Sequence, residues 1–185
     1  MKSNSQRVPR KNYREFNGEP LYKHTHRLQN VVVYSRNPDL VGDKVSVCDL
    51  IKYYILKFDV KDPIAQIHVT NPFLSSKTVR EASKLIDRYD SIISCTKYNS
   101  RFWRMEEYGP CPINHNPLKL EQTQDLPALY EENSAFYIFK PEVFDATNQR
   151  VGQNPYFYPI GYPEYIDIDT EEDWRLVKIM EKMIA

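Results

Sequence analysis

The chain of 185 residues has few glycines, few cysteines and no long apolar run. Its five glycines are scattered, which argues against a glycine-rich phosphate loop of the P-loop type. Its three cysteines, Cys48, Cys95 and Cys111, form no C-x-x-C pair, so no zinc site is indicated and a reducing cytoplasm is the predicted compartment. No segment approaches the roughly 20 apolar residues of a membrane span, and the first residues lack the apolar run of a signal peptide.

Charge is balanced over the whole chain but unevenly distributed along it. The 25 Lys and Arg residues match the 25 Asp and Glu residues, so neither a nucleic acid nor a membrane surface is the predicted partner. Residues 1–36 contain eight Lys or Arg and only two Glu, whereas residues 164–173 contain six Asp or Glu and no base. Two interpretations stay open: one site that holds an anion at its basic end and a metal at its acidic end, or two unrelated solvated faces.

Apolar runs and helical spacings alternate along the chain, and this order predicts an α/β fold with a mostly parallel sheet flanked by helices. We expect a single domain over residues 1–185 that can bury a proper core. The middle, residues 98–128, is rich in proline and is predicted to be irregular. The predicted strands are 31–35, 63–71, 91–97, 134–140, 156–160 and a short one at 165–169, and the predicted helices are 46–58, 76–88, 141–147 and one that Thr170 caps.

The stretch "YIDIDTEEDW", residues 165–174, places two carboxylates two residues apart. On a strand, Asp167 and Asp169 would share one face and repel each other unless a cation lay between them. A divalent metal would explain the arrangement, and a solvated turn is the other interpretation. The acidic residues 171–173 are expected to be structural, because they complement the dipole of the last helix.

The stretch "KSNSQRVPRKN", residues 2–12, combines small polar residues with lysines. Small residues let backbone amides approach phosphate oxygens, and lysine supplies a point charge. Arg36 follows a predicted strand and can donate two hydrogen bonds to a base or a phosphate. A basic tail and a surface arginine are the competing interpretations. Ligands bind beyond the carboxyl ends of strands in such sheets, where this chain has "SRNPD", "VTNPF" and "DIDT".

Several of these stretches, taken in order, resemble one known family. "NSQRVPRKN", "NGEPL", "RNPDLVGDKVS", "HVTNPFL", "TQDLP", "ENSAFYIF" and "DIDTEEDW" are similar to successive motifs of the acylneuraminate cytidylyltransferases, the CMP-sialic acid synthetase type. The resemblance implies a Rossmann-like nucleotidyltransferase fold and a homodimer, with a possible dimerisation subregion around residues 98–160. It implies an enzyme that transfers a cytidylyl group from CTP to a nonulosonic (sialic-type) sugar acid and releases pyrophosphate.

The resemblance also implies roles for particular residues. Asp167 and Asp169 would bind Mg²⁺, with Asp169 also a candidate base, and His68 and Asn133 would contact the sugar. Lys11 would be catalytic as well as a phosphate ligand. The nucleotide would be held by Lys2, Ser5, Lys11, Asn12 and Arg36.

The sequence departs from the family pattern at three places. His68 stands where the family commonly has a sugar-contacting glutamine, so a different specificity is expected, although a histidine packed at a strand end is an equal alternative. No apolar strand precedes the 2–12 loop, and residues 25–30 stand where a longer segment is usual. The alternative function is therefore a truncated, non-catalytic relative that binds a nucleotide or a protein partner.

Overall fold

A computed structural model describes residues 15–16, 19–20, 36–42 and 44–184. The chain divides into two compact units, Met1–Leu50 and Ile51–Ala185. The strand predicted over residues 31–35 lies outside the described residues. In chain order the elements are β1 (Glu15–Phe16), β2 (Glu19–Pro20), α1 (Val47–Phe58), β3 (Ile64–Ile67), α2 (Ser76–Ser83), β4 (Ser91–Tyr98), β5 (Trp103–Glu106), β6 (Gly109–Pro112), β7 (Leu129–Phe139), α3 (Pro141–Thr147), β8 (Pro155–Pro159) and α4 (Glu171–Ile184).

The main sheet of the second unit has four strands in the order β3-β7-β4-β8. Strand β7 is antiparallel to both β3 and β4, and β4 is parallel to β8. Three of the four strands therefore run in the same direction, and β7 runs against them. This mixed sheet flanked by helices confirms the predicted α/β nucleotidyltransferase-type fold.

Helices pack on both faces of the sheet, because successive residues of β7 point to opposite sides. On one face, Phe136 and Ile138 lie in a core cluster with Ala82 of α2. On the other face, Phe139 lies 6.1 Å from Phe144 of α3, measured between ring centroids. Phe136 and Phe139 are both fully buried, so the end of β7 that carries them lies at the centre of the hydrophobic core.

The helices begin where the sequence predicts, but one ends early. Ser46 and Asp49 form a capping box at α1: the Asp49 N–H donates to Ser46 Oγ at 3.1 Å, and the Ser46 N–H donates to Asp49 Oδ2 at 2.9 Å. Helix α2 was expected to reach residue 88 but ends at Ser83. Beyond it the chain continues in turns, with Leu85 N–H bound to Ala82 O and Ile86 N–H bound to Ser83 O.

The predicted strand at residues 165–169 and the predicted irregular middle at residues 98–128 were wrong in whole or in part. Residues 165–169 form no strand, because their hydrogen bonds go to the turn after β3: the Ile168 N–H donates to Thr70 O at 3.0 Å. The middle of the chain is not wholly irregular, since β5 and β6 form an antiparallel hairpin. Proline is tolerated in β6, at Pro110 and Pro112, because this two-stranded hairpin leaves the backbone of each strand unpaired on one side.

A carboxylate holds the loop between α3 and β8 at the amino end of β4. Asp90 Oδ2 accepts the backbone N–H groups of Gln153 and Asn154, both at 2.8 Å, and its Oδ1 accepts the Ser91 hydroxyl at 2.8 Å. Partial burial pushes the pKa of Asp90 upward, but the hydrogen bonds from Asn154, Ser91 and Gln153 outweigh it, so the pKa lies below the ordinary value of 3.8. The ionised form is therefore the one that the fold stabilises.

Stability should fall in acid partly through Asp90. A carboxyl whose folded pKa is depressed contributes stability above its unfolded pKa and loses that contribution as the pH falls through the folded pKa. We expect Asp90→Asn to lower the urea midpoint near pH 7 and to flatten its decline below about pH 4. Asp87→Asn, at an exposed position nearby, is the control and should leave the acid limb unchanged. An Asp90→Asn profile parallel to the wild type at all pH values would contradict this role.

None of the helices in the described part is long and apolar enough to cross a bilayer. None of the three cysteines forms a disulfide, and burial raises the pKa of Cys95 to about 11. The cytoplasmic compartment stays a prediction.

Candidate active site

The residues predicted to bind the ligand fall into three groups. Lys2, Ser5, Lys11 and Asn12 lie outside the described residues. Arg36 belongs to the first unit and is exposed. The second unit contains the other four, His68, Asn133, Asp167 and Asp169. The structure brings these four to the end of the sheet at which β3 finishes.

His68 and Asn133 both hydrogen-bond to Ala135, which lies beside the carboxyl end of β3. The His68 backbone N–H donates to Ala135 O at 3.1 Å. The Asn133 side chain accepts from the Ala135 N–H at 3.3 Å and donates to Thr96 Oγ1 at 3.2 Å. Both side chains are half-buried. The contacts of these two residues with a sugar stay a prediction. The carboxyl ends of the strands are nevertheless the place at which α/β sheets bind ligands.

Asn133 lies in a bulge of β7. The register of β7 against β4 shifts between the pairs Ile93–Tyr137 and Cys95–Glu132, so that β7 carries three more residues than β4 there. Within the bulge Ser134 adopts φ of 59°, and the Phe136 N–H donates to Ser94 Oγ at 2.9 Å instead of to a ladder carbonyl. Bulges re-aim side chains near functional sites, and "ENSAF" carries no sequence pattern that reveals one.

The acidic segment is fastened to the turn that follows β3. Asn71 is 6% exposed, and its Nδ2 donates to Ile166 O at 3.1 Å. With the Ile168–Thr70 hydrogen bond, this contact holds residues 166–169 beside the end of β3. We call His68, Asn71, Asn133, Asp167 and Asp169 the strand-end cluster. Sequence reasoning marked "VTNPF" as a polar strand end but missed the fastening role of Asn71.

The three neighbouring aspartates have different surroundings. Asp173 caps α4, because its Oδ2 accepts the hydroxyl and the N–H of Thr170 at 2.7 and 2.8 Å, and these bonds lower its pKa. Asp167 is half-buried, and its Oδ1 accepts the Ile168 N–H at 3.1 Å. Asp169 is exposed. Neither Asp167 nor Asp169 has an ion-pair partner among the described residues.

The carboxylates of Asp167 and Asp169 could bind Mg²⁺ only together with oxygen ligands from a substrate. Within the described ranges, no group of three or more His, Cys, Asp or Glu side chains gathers to hold a metal. Mg²⁺ uses one or two carboxylates together with water and phosphate oxygens. Asp167 and Asp169 fit that requirement in number and in chemistry, and a resident all-protein metal cage does not fit.

Removing the Asn71 amide should loosen the acidic segment. We expect Asn71→Ala to lower the free energy of unfolding by about 1–2 kcal/mol, because Ile166 O loses its buried donor. Amide exchange at Ile168 should accelerate in the same variant, as measured by hydrogen–deuterium exchange. Asn116→Ala also removes a side-chain hydrogen bond, the one from the Leu118 N–H, but far along the chain from the acidic segment, so it is the control and should leave exchange at Ile168 unchanged. Unaltered exchange at Ile168 would show that Asn71 does not hold the segment.

Comparison with known proteins bears on this arrangement. No family model matches the chain. Three curated N-acylneuraminate cytidylyltransferases, from Streptococcus agalactiae serotypes V, III and Ia, are each 23% identical to it over 159 residues. The chain is a distant relative of this family. The matched region covers 83% of the chain but only 38% of the length of the curated relatives.

The relationship to the N-acylneuraminate cytidylyltransferases confirms the resemblance read from the motifs. The similarity supports a function of the cytidylyltransferase type. It assigns no role to an individual side chain. The strand-end cluster is therefore interpreted from its own geometry.

Proposed function

We propose that this chain is the cytidylyl-transferring part of an enzyme that activates a nonulosonic, sialic-type sugar acid with CTP. In the reaction, a hydroxyl oxygen of the sugar forms a bond to the α-phosphorus of CTP. The bond between that phosphorus and the oxygen of the β-phosphate breaks, and pyrophosphate leaves. The observation that carries the proposal is the pair Asp167 and Asp169, unpaired within the described ranges and fastened beside the carboxyl end of β3 in a distant relative of cytidylyltransferases.

Each member of the strand-end cluster has a proposed task. Asp167 and Asp169 are the ligands for Mg²⁺, which when bound would offset charge at the α-phosphate and lower the pKa of the sugar hydroxyl. Asp169 is the exposed carboxylate of the pair, and it takes the proton of that hydroxyl. His68 and Asn133 orient the sugar from the bulged edge, since both offer side-chain hydrogen-bonding groups there.

The contacts with the triphosphate are proposed for Lys2, Ser5, Lys11 and Asn12, with Arg36 for the cytidine part. We expect Lys11→Ala to raise the KM for CTP by about tenfold or more, because a charge-assisted contact with phosphate is lost. Steady-state kinetics at varied CTP and saturating sugar acid measures this. Lys2→Ala should act in the same direction, whereas unchanged kinetics in Lys11→Ala would contradict its phosphate role.

A homodimer is proposed, with the 98–160 region as its contact surface. The β5–β6 hairpin exposes large apolar side chains that a second copy would cover: Trp103 is 46% exposed, Met105 77% and Tyr108 96%. Exposed apolar patches of this kind commonly mark protein interfaces. Sedimentation of the wild type and of Met105→Glu tests the proposal, because the charge should convert a dimer into a monomer.

Incubation with CTP, Mg²⁺ and N-acetylneuraminate, followed by measurement of pyrophosphate, tests the proposed reaction. We expect release that depends on all three components. Saturable CTP binding with no release for any nonulosonic acid would instead support the alternative function, a non-catalytic relative that binds a nucleotide or a protein partner.

A further inference from the structure

Arg150 lies in an unusual environment in the loop between α3 and β8. Its Nη1 donates to Gln66 Oε1 at 2.7 Å, and its Cζ lies 3.8 Å from the centroid of the Tyr137 ring. The arginine is half-buried, and Tyr137 is 1% exposed. At that distance the guanidinium makes a cation–π contact with the ring in a partly desolvated place.

No carboxylate balances this charge within the described part of the chain. The ion pairs there join other residues, and the carboxylate of Glu132 accepts the hydroxyl of Tyr137. A guanidinium has five N–H donors in a planar fork, and the Gln66 contact uses one. The donors that Gln66 does not use can therefore form charge-assisted hydrogen bonds with an anionic group that approaches from solvent.

The position of Arg150 connects it to the strand-end cluster. Gln66 and His68 lie on the same side of β3, because they are two residues apart on an extended strand. The His68 and Tyr137 rings are tilted, with centroids 6.5 Å apart, and His68 Nε2 is buried with no hydrogen-bond partner. The Tyr137 ring therefore lies between Arg150 and His68 and connects the arginine to the strand-end cluster.

We propose that Arg150 is a specificity-determining residue that binds the carboxylate of the acceptor sugar acid through its free guanidinium edge. The proposal rests on the proposed function, since it assigns the acidic group of that acceptor to a residue. Arginine suits the task because its donors match the two oxygens of a carboxylate. The Tyr137 ring and Gln66 hold the guanidinium in place, so little side-chain freedom remains to be lost on binding.

Direct binding tests the assignment without requiring turnover. Calorimetry compares N-acetylneuraminate with its methyl ester, which lacks the negative charge, on the wild type, Arg150→Gln and Arg150→Lys. We expect the wild type to prefer the acid by about tenfold or more, Arg150→Gln to lose that preference, and Arg150→Lys to keep part of it. Arg88→Gln is the matched control, because Arg88 is exposed and lies 5.9 Å over the Tyr89 ring; it should behave as the wild type does.

Two results would overturn the assignment: a wild type that binds acid and ester equally, or an Arg150→Gln variant that keeps the preference while circular dichroism shows it folded. If Arg150→Gln does not fold, the Arg150→Lys variant decides, because a full preference for the acid there with unchanged affinity would contradict bidentate binding. Failure of the proposed function gives a different signature, namely no pyrophosphate release by a wild type that still prefers the acid through Arg150.

Discussion

Asp169→Asn is expected to reduce pyrophosphate release by about 10²–10³-fold, the usual loss when one charge-stabilising group is removed from a reaction centre. The amide keeps the size of the carboxylate but removes both the negative ligand for Mg²⁺ and the proton acceptor. The fold should be unchanged, because Asp169 is exposed and its backbone N–H, which donates to Asp173 Oδ2 at 3.2 Å, is retained. Coupled pyrophosphate detection and a urea unfolding curve measure the two halves of the expectation.

The control for Asp169→Asn is a charge in the first turn of the helix that follows it. Glu172→Gln removes an exposed charge from the first turn of α4 and should alter turnover less than about twofold, because its effect is confined to the helix dipole. Asp167→Asn should resemble Asp169→Asn. Normal turnover in Asp169→Asn would contradict the assignment of Asp169 as a metal ligand. An equal loss of turnover in Glu172→Gln would show that any negative charge in this segment has the same effect.

Gly152→Ala is expected to destabilise the second unit by about 1–3 kcal/mol, the cost of forcing an extra methyl group into filled space. A Cβ at this position would lie 2.4 Å from Cγ and Oδ2 of Asp90. The carboxylate cannot retreat cheaply, because it is held by the N–H groups of Gln153 and Asn154. Chemical unfolding monitored by tryptophan fluorescence measures the change.

Gly161→Ala is a matched control, since a Cβ there meets nothing within 4 Å, and it should be nearly neutral. The double variant Gly152→Ala, Asp90→Ala gives a further test. If the clash with the carboxylate is the cause, the two changes together should cost less than the sum of the single changes. Strict additivity would mean that Gly152 is needed for another reason.

Local patterns along the chain predicted the helices and most of the sheet well. The capping box of Ser46 and Asp49, the apolar run before residue 98 and the proline that begins α3 all act through neighbours in sequence, which is why they can be read without a fold. The end of α2 could not be read in this way. Residues 84–88 have helical spacing, yet they turn away in short i→i+3 hydrogen bonds.

Long-range contacts explain the errors in the candidate site. The stretch "YIDID" alternates as a strand does, but Asn71 and Thr70, almost 100 residues earlier, take its hydrogen bonds. The sequence around Arg150 contains no motif that predicts a functional residue there. Its partners, Gln66 and Tyr137, lie on β3 and β7.

The sequence by itself determined the α/β class, the kinship with cytidylyltransferases and the pair of carboxylates ahead of the last helix, since these depend on residue type and spacing. Tertiary structure alone decided that β7 runs against its neighbours, that the acidic segment is a fastened loop, and that the guanidinium of Arg150 lies over Tyr137 with no carboxylate partner in the described part of the chain. Those features arise where distant segments exchange hydrogen bonds, and a one-dimensional pattern holds no record of such pairings.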